Sequence, residues 1–209
     1  MVIESARRQA PGRDTAAEPA APRPATGTGR REPAETADDR LIEEARRGDA
    51  RAFEALVHRH TARLFRTATR ILGSREDAED CVQNAWLSAW RALPGYRREA
   101  APTTWLYRIV TNESLMLIRR RKPTVPIDGT EAIVDRSRLG DERRVDDREV
   151  VHRSLRRLSP GYRAVVVLRE FESLSYDEIA AVLGITPTAV RNRLHRARLQ
   201  LLTLLEEWR

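Results

Sequence analysis

The chain has 209 residues, 41% of them hydrophobic and 33% charged, with a formal net charge of +7 and a pI near 10.5. That apolar content supports one or two small cores and excludes disorder throughout, while the basic excess favours an anionic partner. No apolar run approaches the roughly 18 residues of a membrane span or forms a signal-peptide core, so a cytoplasmic protein with no membrane insertion is expected.

Met1 to Asp38 holds nine alanines, five prolines, six arginines and six acids, and no aromatic residue. Such a segment cannot bury a core, and residues 1–38 are expected to form a disordered tail with balanced charge and no assigned function. From Asp39 the pattern becomes helical and stays so, with breaks and without strand signals, to Arg121. Leu41, Ile42 and Ala45 begin a helix that Gly48 ends. Asp49 then caps a longer one whose stripe includes Phe53, Leu56, Val57, Leu64, Phe65, Ala68 and Leu72, stopped by Gly73. Ser74 with Asp77 reads as a capping box that opens a helix to Leu93, with Val82, Ala85, Trp86, Ala89, Trp90 and Leu93 facing inward. Pro94-Gly95 ends it. After a polar loop from Tyr96 to Pro102, Thr103 or Thr104 caps a helix carrying Trp105, Ile109 and Leu117 and closing in Arg119, Arg120, Arg121 and Lys122.

Residues 122–147 lack periodicity and contain two prolines and two glycines, which reads as a flexible linker. Their five basic and seven acidic residues give −2, in a chain of net +7 the segment least suited to DNA. Helices resume at Arg148. Val151, Leu155 and Leu158 mark one, and Ser159-Pro160 open the next, which Val165, Val166, Leu168 and Phe171 bury.

Ser175 to Arg198 then reads as two short helices joined by a tight turn. Ser175 and Glu178 form a capping box, Ile179 and Leu183 share a face, Gly184 ends the first helix and Ile185 re-enters the core. Thr186 caps the second helix with Pro187 at its first position, and Val190, Leu194, Ala197 and Leu201 form its inward stripe. Four arginines and no acid fall between Ile185 and Leu205. A basic helix at helix-turn-helix spacing suits phosphates and base edges, although a solvated basic face is the plainer alternative.

Chemistry of other kinds has little support. There is no glycine-rich phosphate loop, no HExxH pair and no GxSxG elbow, and no cofactor, metal or small-molecule substrate is expected. His58 and His60 stand two apart, on different faces of a helix. Asp77, Glu79 and Asp80 fall in the first turns of a helix, where acids offset its dipole. The single cysteine, Cys81, allows no internal disulfide, and a small buried residue is its ordinary role; a redox role stays open.

The segment DAEDCVQNAWLSAWRAL (Asp77 to Leu93), followed by TWLYRIVTN (Thr104 to Asn112) and RRR, resembles region two of bacterial sigma factors of the extracytoplasmic-function group. LRRLSPGYRAVVVLREFESLSYDEIAAVLGITPTAVRNRLHRAR resembles their region four, and the likeness covers roughly Asp39 to Leu205 except the linker. It implies an all-α fold with a region-two-like bundle at 39–121 and a region-four-like helix-turn-helix domain at 148–209. It also implies a non-enzymatic specificity subunit that binds core RNA polymerase, selects promoters and helps open the DNA.

The resemblance gives docking on the clamp helices of the largest polymerase subunit to Asp77, Asp80, Gln83, Asn84 and Leu87. It gives the −10 element to Tyr96, Arg97, Arg98, Thr103, Thr104, Trp105, Tyr107, Arg108, Asn112, Arg119 and Arg120, where aromatic rings stack or brace, Asn112 meets a base edge and arginines neutralise phosphate. For Trp105, core packing is the competing role. The −35 element falls to Thr186, Pro187, Thr188, Arg191, Asn192, His195, Arg196 and Arg198. An anti-sigma partner and a linker lying in the RNA path are further implications. Asn84, Pro102 and Met116 depart from the family pattern, at positions more often acidic, apolar or aromatic, and Asp.

Two other classes remain on sequence grounds: a self-sufficient helix-turn-helix regulator with an N-terminal sensing or dimerisation module, and a module that only sequesters another factor.

Overall fold

A computed structural model describes residues 32–121 and 147–206, and every regular element among them is a helix. The first bundle comprises α1 (Glu32–Arg46), α2 (Ala50–Leu72), α3 (Arg75–Ala92) and α4 (Pro102–Arg121). α1 begins inside the stretch expected to be tail, and the reason is Asp38. Its carboxylate is buried, accepting from His60 Nε2 at 2.8 Å and from Arg59. That long-range pairing anchors the helix well before its apolar stripe starts. The rest of the expected tail and residues 122–146 of the expected linker lie outside the described residues.

Local chemistry sets the helix ends. Asp49 accepts from the amides of Arg51 and Ala52 at the start of α2, and Gly73 closes that helix at φ 74°, where a side chain would be strained. Ser74 accepts from the Asp77 amide at the start of α3. α3 passes into a 3-10 turn, Leu93–Gly95. Neither Thr103 nor Thr104 caps α4, contrary to expectation. Pro102 takes the first position, where its missing N–H costs nothing, and the Ala101 carbonyl accepts from the Trp105 amide at 3.0 Å.

The buried face of α4 also differs from the expected one. Leu106, Tyr107, Val110, Thr111, Ser114 and Leu115 are buried, while Trp105, Ile109 and Leu117 are only half-buried. Trp90, expected inside, is 44% exposed, although its ring packs edge-on to Phe53 at 4.9 Å.

The second bundle comprises α5 (Asp147–Arg157), α6 (Pro160–Val166), a π-helical turn (Val167–Phe171), α7 (Tyr176–Leu183) and α8 (Pro187–Glu206). Val165, Val166 and Leu168 are buried as expected; Phe171 is 38% exposed because the wider turn rotates it outward. On α8, Val190, Leu194 and Ala197 are buried, and Leu204 takes the inner place expected of Leu201.

Among the described residues the two bundles pack directly on each other, with α7 against α4 and α5 and the π turn against α2. Beads on a loose string are what the sequence suggests. Instead Arg163, buried on α6, donates to the Ile71 carbonyl at 2.7 Å as well as to Arg156 and Leu158 carbonyls, so one cation serves helix C-termini in both bundles. Burial brings its guanidinium down to about 10, assisted by the Arg156 charge.

Candidate nucleic-acid interface

The outer face of α8 is prepared by the helix-turn-helix beneath it. The Ser175 hydroxyl accepts from the Glu178 amide at 3.2 Å, and the Glu178 carboxylate accepts from the Ser175 amide at 2.7 Å. Gly184 turns the chain at φ 65°. Thr186 then accepts from the Ala189 amide at 3.1 Å and starts α8. With Val190, Leu194 and Ala197 fixed in the core, Thr186, Pro187, Thr188, Arg191, Asn192, His195, Arg196 and Arg198 are all exposed. Arg forks and an Asn amide on one helix can hydrogen-bond base edges and phosphates in a major groove. Arg198 is partly engaged, donating to Glu170 at 2.7 Å, a bond that raises its guanidinium further above its usual range.

A different surface runs along α3. Asp80, Gln83, Asn84 and Leu87 lie at the i, i+3, i+4, i+7 spacing of one face and are all exposed, Leu87 to 55%. An apolar side chain ringed by polar ones suits a protein contact more than a nucleic acid. Trp90 extends this face and was missed, since at helical spacing an aromatic residue reads as core. Asp77 stands apart, tied to Arg121 of α4 by an ion pair.

The residues assigned to strand capture divide into two groups. Arg97, Arg98, Arg108, Asn112, Arg119 and Arg120 are exposed, and Thr103 and Trp105 are half-buried. Tyr96, Thr104 and Tyr107 are buried. Tyr96 therefore braces the loop: its hydroxyl donates to the Ala100 carbonyl at 2.6 Å and its ring lies 5.1 Å from that of Trp105. Burial, reinforced by the Asp39 charge, pushes its phenol up to about 12.

Tyr107 donates to the Glu172 carboxylate at 2.5 Å, and Thr104 donates to Glu178 at 3.3 Å. Both acceptors belong to the second bundle. A cavity of about 380 Å³ lies beside Thr104, lined also by Tyr96, Arg97, Trp105 and Arg108 on one side and by Ala181 and Val182 of α7 on the other. In this arrangement Tyr107 is buried and turned toward Glu172.

Glu172 went unnoticed in the sequence. Its surroundings, VLREFES, carry no period that marks an inward acid. Thr67 donates to it at 2.7 Å and Arg63 Nε at 2.8 Å. Burial pushes the carboxyl up, but hydrogen bonds from Tyr107, Arg63 and Thr67 and the Arg63 charge outweigh it and hold the group below its usual range.

His58 and His60 diverge: His60 is buried against Asp38 and His58 is exposed beside Glu54. No group of three or more His, Cys, Asp and Glu residues that could hold a metal ion occurs among the described residues, and no helix there is long and apolar enough to cross a membrane.

Two family models match the chain in order, Sigma-70 region 2 over residues 56–124 and Sigma-70, region 4 over residues 148–201. RNA polymerase sigma-H factor of Pseudomonas aeruginosa is 34% identical over 177 residues, covering 77% of this chain and 90% of that protein. The extracytoplasmic-function RNA polymerase sigma factor SigM of Mycobacterium tuberculosis is 37% identical over 184 residues, covering 87% of this chain and 90% of its own. Among solved structures, CnrH in complex with the cytosolic domain of CnrY superposes with a TM-score of 0.63 at 32% identity, covering 82% of this chain and 98% of that one.

Proposed function

The chain belongs to the extracytoplasmic-function group of the sigma-70 family, and we propose that it divides that family's work between residues 39–121 and residues 148–209. It binds core RNA polymerase, directs it to specific promoters and assists DNA opening; it is a specificity subunit, not an enzyme. It therefore works beside the polymerase, in the cytoplasm.

In this proposal Asp80, Gln83, Asn84 and Leu87 dock on the clamp helices of the largest polymerase subunit, with Trp90 added at one end and Asp77 holding α3 to α4. Arg97, Arg98, Arg108, Asn112, Arg119 and Arg120 receive the −10 strand around Trp105, with Thr103 and Thr104 at the cleft and Tyr96 bracing its loop. Capture of a strand by such contacts offsets the few kcal/mol lost per unstacked step without nucleotide hydrolysis. Thr186, Pro187, Thr188, Arg191, Asn192, His195, Arg196 and Arg198 read the −35 element. CnrH is paired with the cytosolic domain of CnrY, and a protein inhibitor of the anti-sigma kind is proposed for this chain as well.

One observation carries the reading: an exposed Leu87 stripe suited to a protein and an exposed arginine face suited to DNA stand on separate bundles of one chain. A self-sufficient regulator has no use for the first. Purified chain added to core polymerase should give transcripts that start at discrete promoters. A footprint on a palindromic operator by the chain alone, with no polymerase-dependent transcript, would overturn the assignment.

A further inference from the structure

One arginine on the outer face of α8 differs from its neighbours. Arg191 and Arg198 are both exposed and lie two helical turns apart on the same side of the helix. Among the described residues no carboxylate pairs with Arg191 or Arg196. Arg198 instead donates to Glu170 at 2.7 Å, and Tyr176 at the start of α7 adds a hydrogen bond to the same guanidinium.

Glu170 owes its position to the π turn, in which Val167 and Leu168 point inward while Glu170 and Phe171 are exposed. The ion pair is open to solvent, with 52% of the Arg198 side chain and 46% of the Glu170 side chain exposed, so it contributes little to the stability of the bundle. Its effect on a DNA surface is larger. A cation already cancelled by a carboxylate neutralises no phosphate and releases no counter-ion, and the carboxylate itself repels the backbone.

The geometry points to Glu170 as a positioning residue that holds Arg198 off the DNA backbone, so that Arg198 reaches a phosphate only at the expense of this ion pair. The inference deepens the −35 assignment and rests on it: Arg198 can attract DNA of any sequence, and Glu170 sets how much of that attraction is expressed. Phosphate contacts carry no sequence information, so restraining one of them limits retention on DNA outside promoters. Arg98 of the −10 group meets Glu43 in a similar way at 3.4 Å, but Glu43 also pairs with Arg46 and Arg47, which leaves Glu170 as the cleaner test.

The salt dependence of DNA binding reads this role directly. Holoenzymes assembled with the parent chain, Glu170→Gln, Glu170→Gln with Arg198→Ala, and Asp177→Asn are titrated with a labelled duplex carrying the −35 element of a promoter mapped by transcription. The same duplex with that element scrambled is the second probe, and both are measured from about 50 to about 200 mM salt. Glu170→Gln should bind both duplexes roughly three- to tenfold more tightly near 100 mM salt and steepen the slope of log K against log salt by about 0.9, the release expected of one further phosphate contact. The double variant should return to the parent's affinity and slope. Asp177 is an exposed acid in the first turn of α7, and Asp177→Asn changes the net charge equally without releasing an arginine, so its slope should match the parent's. The slope does not depend on the folded fraction, and a partly destabilised variant still reports it.

An unsteepened slope for Glu170→Gln, or an equal steepening for Asp177→Asn, would overturn the role of Glu170, as would a gain that survives Arg198→Ala. A parent holoenzyme that binds both duplexes alike would sink the −35 assignment itself and this inference with it.

Discussion

Cys81 illustrates how completely surroundings decide a side chain's chemistry. Its sulfur lies 3.3 Å from the Ser114 hydroxyl, buried between α3 and α4, and burial pushes the thiol up to about 11 despite that hydrogen bond. Thiolate is the reactive form, so the folded chain offers almost none at neutral pH. Iodoacetamide at pH 8 should leave the native protein unlabelled and alkylate Cys81 once denaturant is added; native labelling at the rate of a free thiol would contradict this environment. Gly73 is decided by backbone instead. At φ 74°, with Arg156 Cδ 2.5 Å from where a Cβ would sit, Gly73→Ala adds left-handed strain and displaces Arg156. A loss of about 1–2 kcal/mol is expected, read as a fall in Tm. An unchanged Tm would mean that Arg156 swings aside and that the bundles do not rely on this approach.

At the scale of the element, α8 and α3 each present one face outward because the opposite face is fixed. Val190, Leu194 and Ala197 leave Arg191 and Asn192 to solvent, and binding measured on a set of single-base −35 variants tests their role. Arg191→Ala should cost about 1–3 kcal/mol at one base pair, whereas uniform weakening across the set would make it a phosphate contact. On α3, Asp80→Lys reverses a charge at the exposed stripe and should weaken association with core polymerase by roughly three- to tenfold. Unchanged affinity would remove Asp80 from that surface. The contrast with α4 is instructive. There the buried face sits one position away from the stripe of Trp105, Ile109 and Leu117, since a polar Tyr107 and Thr111 are inside and an apolar Met116 is at the surface. Periodicity locates a helix more securely than it identifies its inner side when polar residues such as Tyr107, bonded to Glu172, lie in the core.

At the scale of the whole molecule, the packing of the two bundles around Glu172 should respond to acid. Facing Glu172 are Arg63 and Arg70 of α2 and Tyr107 of α4, all of which favour its ionised form. Its value in the closed chain lies below the ordinary 4.5. The stability it contributes is therefore complete above that ordinary value and is lost as pH falls through the lower one. Energy transfer between the bundles should stay constant from neutral pH down to about 5 and fall only at more acid values, with Glu172→Gln showing a weaker dependence. Asp38, held below its usual range by His60 and Arg59 against the opposing effect of burial, also titrates at acid pH, so the difference between parent and Glu172→Gln is the informative quantity. An identical acid transition in both would mean that Glu172 does not hold the bundles together.

The sequence by itself determined most of the helices, their caps apart from that of α4, and the family. Asp49, Ser74, Ser175 with Glu178, and Gly184 act within a turn of where they stand, and such short-range hydrogen bonds and backbone constraints need no knowledge of the rest of the chain. The same holds for the exposed arginines of α8, whose opposite stripe was regular and apolar. Only the tertiary structure decided what Asp38, Tyr107, Arg163 and Glu172 do. Each is a polar group buried by partners 22, 65, 92 and 109 residues away. Burial of a charge is tolerable only where such partners converge, and convergence over that separation is a property of the packed chain rather than of any stretch of it.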